Sequence, residues 1–411
     1  MNHPSDTLLP PAARLKVIVV IIVLCAVLGA GYVLYASQRV KLVVGEQTIP
    51  AEELTTLDEV LTSRQRSPDE DDAPVAEPLA NSTANMLAGE MESPATPDNG
   101  AASTSGTQAN LLVFVNRFAG VDYSRLAVAN ALQPDKRALV DLRCARMYIA
   151  SGRGICLQGT GESDRSEGVI LLFDEQFRET RRYFLMGIPS RARVSPDGTK
   201  AAYTIFVTGH SYTGGVGTFS TDTRIVDMER DHRVSLEDFI AYRDGERFQH
   251  IDFNYWGVTF ADDANRFYAT LGTQGKTYIV EGNVQTQRIE VIAEGGECPS
   301  LSSDNRSLVF KERIGGALSA THWQLVHYDL ATGQRTPLNE TRSVDDQVEW
   351  LDNDTIIYSM PAGGSTVQPV TELWKLDITP GAEPQLYLAN AESPAVIQQA
   401  GGSEMGKFSG G

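Results

Sequence analysis

Cysteine and histidine are scarce in this chain, four and six in 411 residues. No CxxC pair occurs, so zinc-ribbon and thioredoxin-like chemistry lack their minimum ligands. A basic surplus is missing as well: 35 Lys and Arg against 53 Asp and Glu leave a formal charge of −18. With no basic stripe to attract a phosphate backbone, nonspecific nucleic-acid binding is excluded as a role. Long 3.6-residue periodicity is absent from residues 111–399, where the best helical candidate, residues 236–244, is short. Doubly wound α/β folds are thereby disfavoured.

Aromatic residues are absent from residues 43–110, where Pro, Ser, Thr, Ala, Glu and Asp dominate. Little apolar surface is then available to offset chain entropy, and residues 37–109 read as an acidic disordered linker. Within it, PAEELTTLDEVLT at 50–62 places Leu54, Leu57 and Leu61 on one helical face. A transient helix in a linker is expected there rather than a docking helix.

What is present begins with residues 17–36, VIVVIIVLCAVLGAGYVLYA, twenty residues without a charge. At about 1.5 Å per residue they span roughly the 30 Å hydrocarbon core, as a transmembrane helix does. Arg14 and Lys16 before it and Arg39 and Lys41 after it suit headgroup regions, with Tyr32 and Tyr35 near the far interface. A cleaved signal peptide has a shorter apolar core, and Leu34-Tyr35-Ala36 puts a bulky residue where a small one is wanted. The expectation is a tail at 1–16 on the cytoplasmic side, with the remaining chain extracytoplasmic. Cys25, in mid-helix, receives no chemistry.

From residue 110 to about 400, short runs of Val, Ile, Tyr and Phe alternate with Gly, Asp, Asn and Ser clusters, which marks an all-β domain. One unit recurs: VSPDGTKAAY at 194–203, FADDANRFYA at 260–269, LSSDNRSLVF at 301–310 and the shorter WLDNDTIIY at 350–358. Each reads as an apolar residue, a tight polar turn and a β-forming run, because Asp and Asn bond their own backbone and Gly198 permits positive φ. A polar-bent third strand follows, as in 323–338 and 372–388. Spacings near 40–50 residues then describe four-stranded blades, with one large insertion near 208–249.

Ser195-Pro196-Asp197-Gly198 followed by an apolar strand resembles the repeat of TolB-type and WD40-like β-propellers. The resemblance runs over roughly 111–399, with LQPDKRALV at 132–140 as a degenerate copy and MYIASGRGICL at 147–157 as a further hairpin. It implies a propeller of six blades, seven being the alternative, whose incoming strand SPAVIQQ at 393–399 pairs with N-terminal strands to close the ring. The separate α/β domain that precedes the propeller in TolB is replaced here by the anchor and linker. The fold is carried over and the Tol-system role is not. Residues 401–411 read as a flexible glycine-rich tail.

Catalytic, cofactor and metal residues are not singled out by any spacing. GHSYTGG at 209–215 sets its second glycine one position too late for a nucleophile elbow. His322 and His327 sit an odd distance apart on a probable strand and point to opposite faces. The acidic turns lack the alternating ligands of a calcium loop. A disulfide between Cys144 and Cys156, which flank a hairpin, suits an oxidising compartment, with two buried thiols as its alternative and Cys298 as a core residue. Tyr212, Phe219, Phe239, Tyr242 and Phe248 of the insertion are the candidate partner contacts.

The expected function is a tethered, non-catalytic interaction scaffold with an envelope protein as partner. The alternatives are an extracytoplasmic hydrolase or lyase with its site at the central channel, and an accessory subunit of a membrane complex.

Overall fold

The structure is a computed structural model that describes residues 49–63, 110–159, 167–207, 220–315, 322–364 and 368–398. Residues 17–36, the linker beyond residue 63 and the tail at 401–411 lie outside the described residues. Among those described, no helix is long and apolar enough to cross a membrane.

Six sheets stand around one axis, each with four antiparallel blade strands. Counting outward, blade 1 is Ala391–Ile397, Leu111–Asn116, Arg125–Asn130 and Gln133–Arg143. Blade 2 is Arg146–Ala150, Arg153–Gly159, Glu167–Asp174 and Glu179–Met186. Blade 3 is Ile188–Val194, Lys200–Val207, Ser220–Asp227 and His232–Ser235. Blade 4 is Asn254–Phe260, Arg266–Thr273, Lys276–Asn283 and Arg288–Glu294. Blade 5 is Glu297–Leu301, Ser307–Ile314, His322–Asp329 and Arg335–Pro337. Blade 6 is Glu349–Trp350, Thr355–Gly364, Pro369–Asp377 and Gln385–Ala389. The ring closes where Ala391–Ile397 pairs with Leu111–Asn116, Leu111 opposite Ile397 and Val113 opposite Ala395.

The two-residue period explains the packing. Along Leu111–Asn116 every residue is buried, because neighbouring blades cover both faces. Leu111, Val113 and Val115 face blade 2, where they meet Met147, Leu171 and Phe173. Leu112 and Phe114 face blade 6 and meet Ile357, Leu373 and Leu388. An apolar cluster of this kind fills each of the six interfaces between blades. Burial of one such side chain contributes about 1.5–3 kcal/mol.

The recurring turn joins the first strand of a blade to its second. In blade 3, Ser195 Oγ donates to Asp197 Oδ1 at 2.6 Å, Thr199 N–H to the same oxygen at 2.9 Å, and Lys200 N–H to Ser195 Oγ at 2.9 Å. Blade 5 repeats this with Ser302, Asp304 and Ser307. Blades 4 and 6 keep only the aspartate part, Asp263 and Asp352 each accepting two backbone N–H groups. Asp197, Asp304, Asp263 and Asp352 thus bond within their own loops.

Three expectations need correction. Residues 132–140 form no such turn: they are mostly the outer strand of blade 1, since Ala391–Ile397 and Leu111–Asn116 supply that blade's first and second strands. The span 208–249 is not one insertion either. Ser220–Ser235 holds the two outer strands of blade 3, and the added part is a 3-10 turn at Leu236–Asp238 with strands Ile240–Arg243 and Glu246–Phe248. Those strands extend the outer edge of blade 4, Ile240–Arg243 lying parallel to Arg288–Glu294. The helical candidate at 236–244 is therefore a 3-10 turn followed by a strand, because a free sheet edge satisfies more backbone groups than one isolated turn.

The third correction concerns residues 49–63, which pack on the outer edge of blade 1 instead of remaining in a linker. Leu54 bridges Arg137 in parallel, and Thr55 N–H donates to Arg137 O at 3.1 Å. A helix at Leu57–Ser63 starts from a capping box: Glu59 N–H donates to Thr56 Oγ1 at 3.2 Å, and Thr56 N–H to Glu59 Oε2 at 2.9 Å. Its packed side chains are Leu57 and Val60, which join the cluster between blades 1 and 2. Leu54 and Leu61 are exposed.

Candidate functional site

Strand direction divides the propeller into two faces. The turn face carries the connections from first to second and from third to fourth strands. The opposite, loop face carries the second-to-third connections and the crossovers between blades.

On the turn face, successive blades bond through their turns. Ser151 Oγ donates to Pro196 O at 2.6 Å, Asn305 Nδ2 to Asp262 Oδ2 at 2.7 Å, and Asp304 N–H to Asn353 Oδ1 at 3.1 Å. These turns ring a recess of about 240 Å³ at the channel mouth, lined by Tyr148, Arg193, Ser300, Ser302, Glu349 and Gln398 among others. Its floor is an ion pair, Arg193 Nη1 to Glu349 Oε2 at 2.8 Å, with both side chains buried. Glu349 Oε1 accepts Tyr148 O–H at 2.9 Å and Val396 N–H at 3.2 Å. Arg193 Nη2 donates to Val348 O at 2.6 Å and Ser300 Oγ at 3.3 Å, and its guanidinium lies over the Tyr148 ring. Side chains or backbone from blades 1, 2, 3, 5 and 6 thus meet on one pair of charges.

Burial pushes the Glu349 carboxyl above the usual carboxylate range, with Arg193 opposing it, and burial beside Glu349 also pushes the Tyr148 hydroxyl up. Below this floor, Gln347 Nε2 lies within hydrogen-bonding reach of Gly257 O, Val258 O and Pro299 O at 2.8–3.2 Å, while Trp350, which lines the recess, donates Nε1–H to Ser300 O at 3.1 Å. Gln347 and Trp350 thus bond to the fold beside the floor, and both charges of the floor have partners within it.

A second charged layer closes the loop-face end. Glu392 pairs with Arg117 at 2.5 Å and also with Arg146, joining blades 1 and 2. Burial acts to raise the Glu392 carboxyl, but Arg146 and Arg117 outweigh it and hold it below the ordinary range. Lys311, itself buried, pairs with Asp345.

The loop face carries most of the large exposed apolar side chains among the described propeller residues. Val121 lies in a second-to-third connection, Phe184 and Met186 end the outer strand of blade 2, Ile188 begins blade 3, Ile251 precedes blade 4, and Ile314 ends a second strand. Phe184 is 88% exposed and Ile251 fully so. Leu132, Ile240 and Leu386 are the exceptions, on the turn side.

The sequence-chosen contact residues are placed differently. Tyr212, Phe219 and the 209–215 motif lie outside the described residues. Phe239 is buried with its ring 6.0 Å from that of Phe267, and Phe248 packs on Phe253 and Tyr278. Arg288 covers the Tyr242 ring. These three help hold the added strands to blade 4, as aromatic residues at a new edge must if it is to stay docked. Cys144 and Cys156 are joined by a disulfide with Cα atoms 5.5 Å apart, which ties the crossover from blade 1 to the second strand of blade 2. Cys298 is a buried free thiol. His327 Nε2 bonds Ser307 Oγ at 2.9 Å within blade 5. The exposed apolar residues of the loop face escaped sequence reading. In a strand such as ETRRYFLM their alternation with Tyr183 looks like a buried face.

No family model and no curated protein matches the chain. Solved structures do. TolB from Acinetobacter baumannii aligns at 15% identity with a TM-score of 0.50, covering 71% of this chain and 67% of that one. The chain has the TolB-like propeller fold. A nidogen/laminin complex chain aligns at 10% identity with a TM-score of 0.46, over 70% of this chain and 98% of the other. The propeller domain of the trilobed protease from Pyrococcus furiosus, described as having an open velcro topology, aligns at 12% identity with a TM-score of 0.36, over 59% and 70%. At these identities the likeness concerns the fold alone.

Proposed function

We propose that this chain is a membrane-tethered, extracytoplasmic propeller that serves as a non-catalytic protein-interaction scaffold in the cell envelope. One observation carries the reading. The charged floor of the channel spends its bonds on holding blades together, whereas Phe184, Met186, Ile188 and Ile251 on the loop face are left to solvent. Exposed apolar side chains gathered on one face of a soluble domain mark a surface that meets a partner. The anchor at 17–36 supplies the tether, and an oxidising compartment suits the Cys144–Cys156 bridge.

The test is affinity capture with mass spectrometry on the solubilised full-length chain, beside a variant carrying Phe184→Ser, Ile188→Ser and Ile251→Ser. Recovery of a stoichiometric envelope protein by the parent and its loss from the folded variant are expected. Equal recovery by both sinks the choice of face. A second reading, a hydrolase or lyase at the channel mouth, draws on the recess and the raised Glu349 carboxyl. It requires turnover that Glu349→Gln abolishes while fold and partner capture persist.

A further inference from the structure

Residues 49–63 clasp the outer edge of blade 1 from both sides. Toward blade 6, Glu53 pairs at 3.3 Å with Arg137, whose side chain is 1% exposed. Arg137 reaches inward to Asn116 Oδ1 at 3.1 Å and to the carbonyls of Ala389 and Asn390 at 3.3 Å, with its guanidinium over the Phe114 ring. Those partners belong to the seam where blade 6 passes into the closing strand. Burial drives the Arg137 pKa down, and Glu53, followed by Asp135, opposes it. Toward blade 2, Val60 is 3% exposed and packs with Leu57 against the third and fourth strands of blade 1, in the cluster that holds Leu126, Val128 and Ala138. Between the two contacts, Leu54 extends the sheet beside Arg137 and Ile49 is buried.

The chain therefore touches blade 1 twice, at 49–63 and again from Asn110 onward, and residues 64–109 leave and rejoin the same blade. We propose that the propeller is suspended from Ile49: residues 49–63 are a latch, and the tether proper is the dozen residues between the apolar segment and that latch. The membrane half of this statement rests on the tethered reading above. Extended at about 3.5 Å per residue, such a tether reaches about 40 Å at most. A continuous leash of residues 37–109 would reach roughly 250 Å extended. The latch thus holds the propeller near the bilayer, and it frees residues 64–109, which carry eight acidic side chains against Arg64 and Arg66, from bearing the domain.

The experiment uses the full chain with a specific protease site placed near residue 85, cut after folding and run on size exclusion in detergent. The two fragments are expected to elute together, and a Glu53→Ala, Val60→Asp pair to separate them with the near-ultraviolet circular dichroism of the larger fragment unchanged. Fragments that part without the substitutions, or stay together with them, overturn the latch. Should the pair disturb folding, hydrogen exchange on the unsubstituted chain decides: the amides of Thr55 and Val60 exchange at least tenfold slower than in a free peptide, and free-peptide rates overturn it. Vesicle sedimentation of the same cut sample judges the anchor separately. Absence of both fragments from the vesicles defeats the tether while co-elution still decides the latch.

Discussion

The two faces of the propeller are built from the same strands and differ in what their connections do. Turn-face connections are short, carry Asp, Ser and Asn at repeated positions, and bond to the next blade's turn. Loop-face crossovers and strand ends leave Phe184, Met186 and Ile251 in solvent. One face is specified by local hydrogen bonds and holds the ring, and the other is free to vary in shape and chemistry. On the proposed reading the first face holds the ring, and the second, outside its charged layer at the axis, is left for recognition.

The sharpest way to break this comparison is at the turn-face floor. Glu349→Gln is expected to cost about 3 kcal/mol, because Arg193 would remain buried without its counter-charge. A urea titration reads this as a lower midpoint at unchanged slope. A loss under 1 kcal/mol would show that the pair is not a staple.

The charged layer at the other end of the axis gives a pH prediction. The Glu392 carboxyl is held below its usual range, so its contribution is present above the unfolded carboxyl pKa and is lost as pH falls through the lower folded value. Glu392→Gln should lower stability at pH 7 and flatten the decline between about pH 5 and pH 3. Parallel acid slopes in parent and variant would exclude Glu392 as a source of acid lability.

A smaller effect is expected at Gly198, where φ is 72° and an added Cβ would stand 3.2 Å from Ala150 O. Gly198→Ala should cost about 1 kcal/mol, seen as a fall in Tm. Smallest of all, Phe184→Ser and Ile251→Ser should each change stability by less than about 0.5 kcal/mol while weakening partner capture. A large stability loss from either would erase the contrast between the faces.

Much of the architecture was legible in short stretches. Asp197 and Gly198, Asp304 and Asn305, and Asp263 announce their turns because the bonds they make are to residues two or three positions away. Ring closure through residues 393–397 was readable as an incoming inner strand at the end of the repeats. The Thr56–Glu59 capping box was also present in the sequence, yet helix docking depended on Leu57 and Val60 meeting side chains beyond residue 110. Phe239 and Phe248 look like a binding surface until blade 4 covers them.

By itself the sequence determined the all-β texture, the blade spacing, the turn chemistry and the apolar stretch at 17–36, all properties of neighbours along the chain. Only the tertiary structure decided that Arg193 and Glu349, 156 positions apart, neutralise each other on the axis, that Arg137 takes Glu53 as its counter-charge, and which apolar side chains remain uncovered. Ring closure sets those pairings, since bringing distant blades together chooses which charges leave water in company and which surfaces have no blade to cover them.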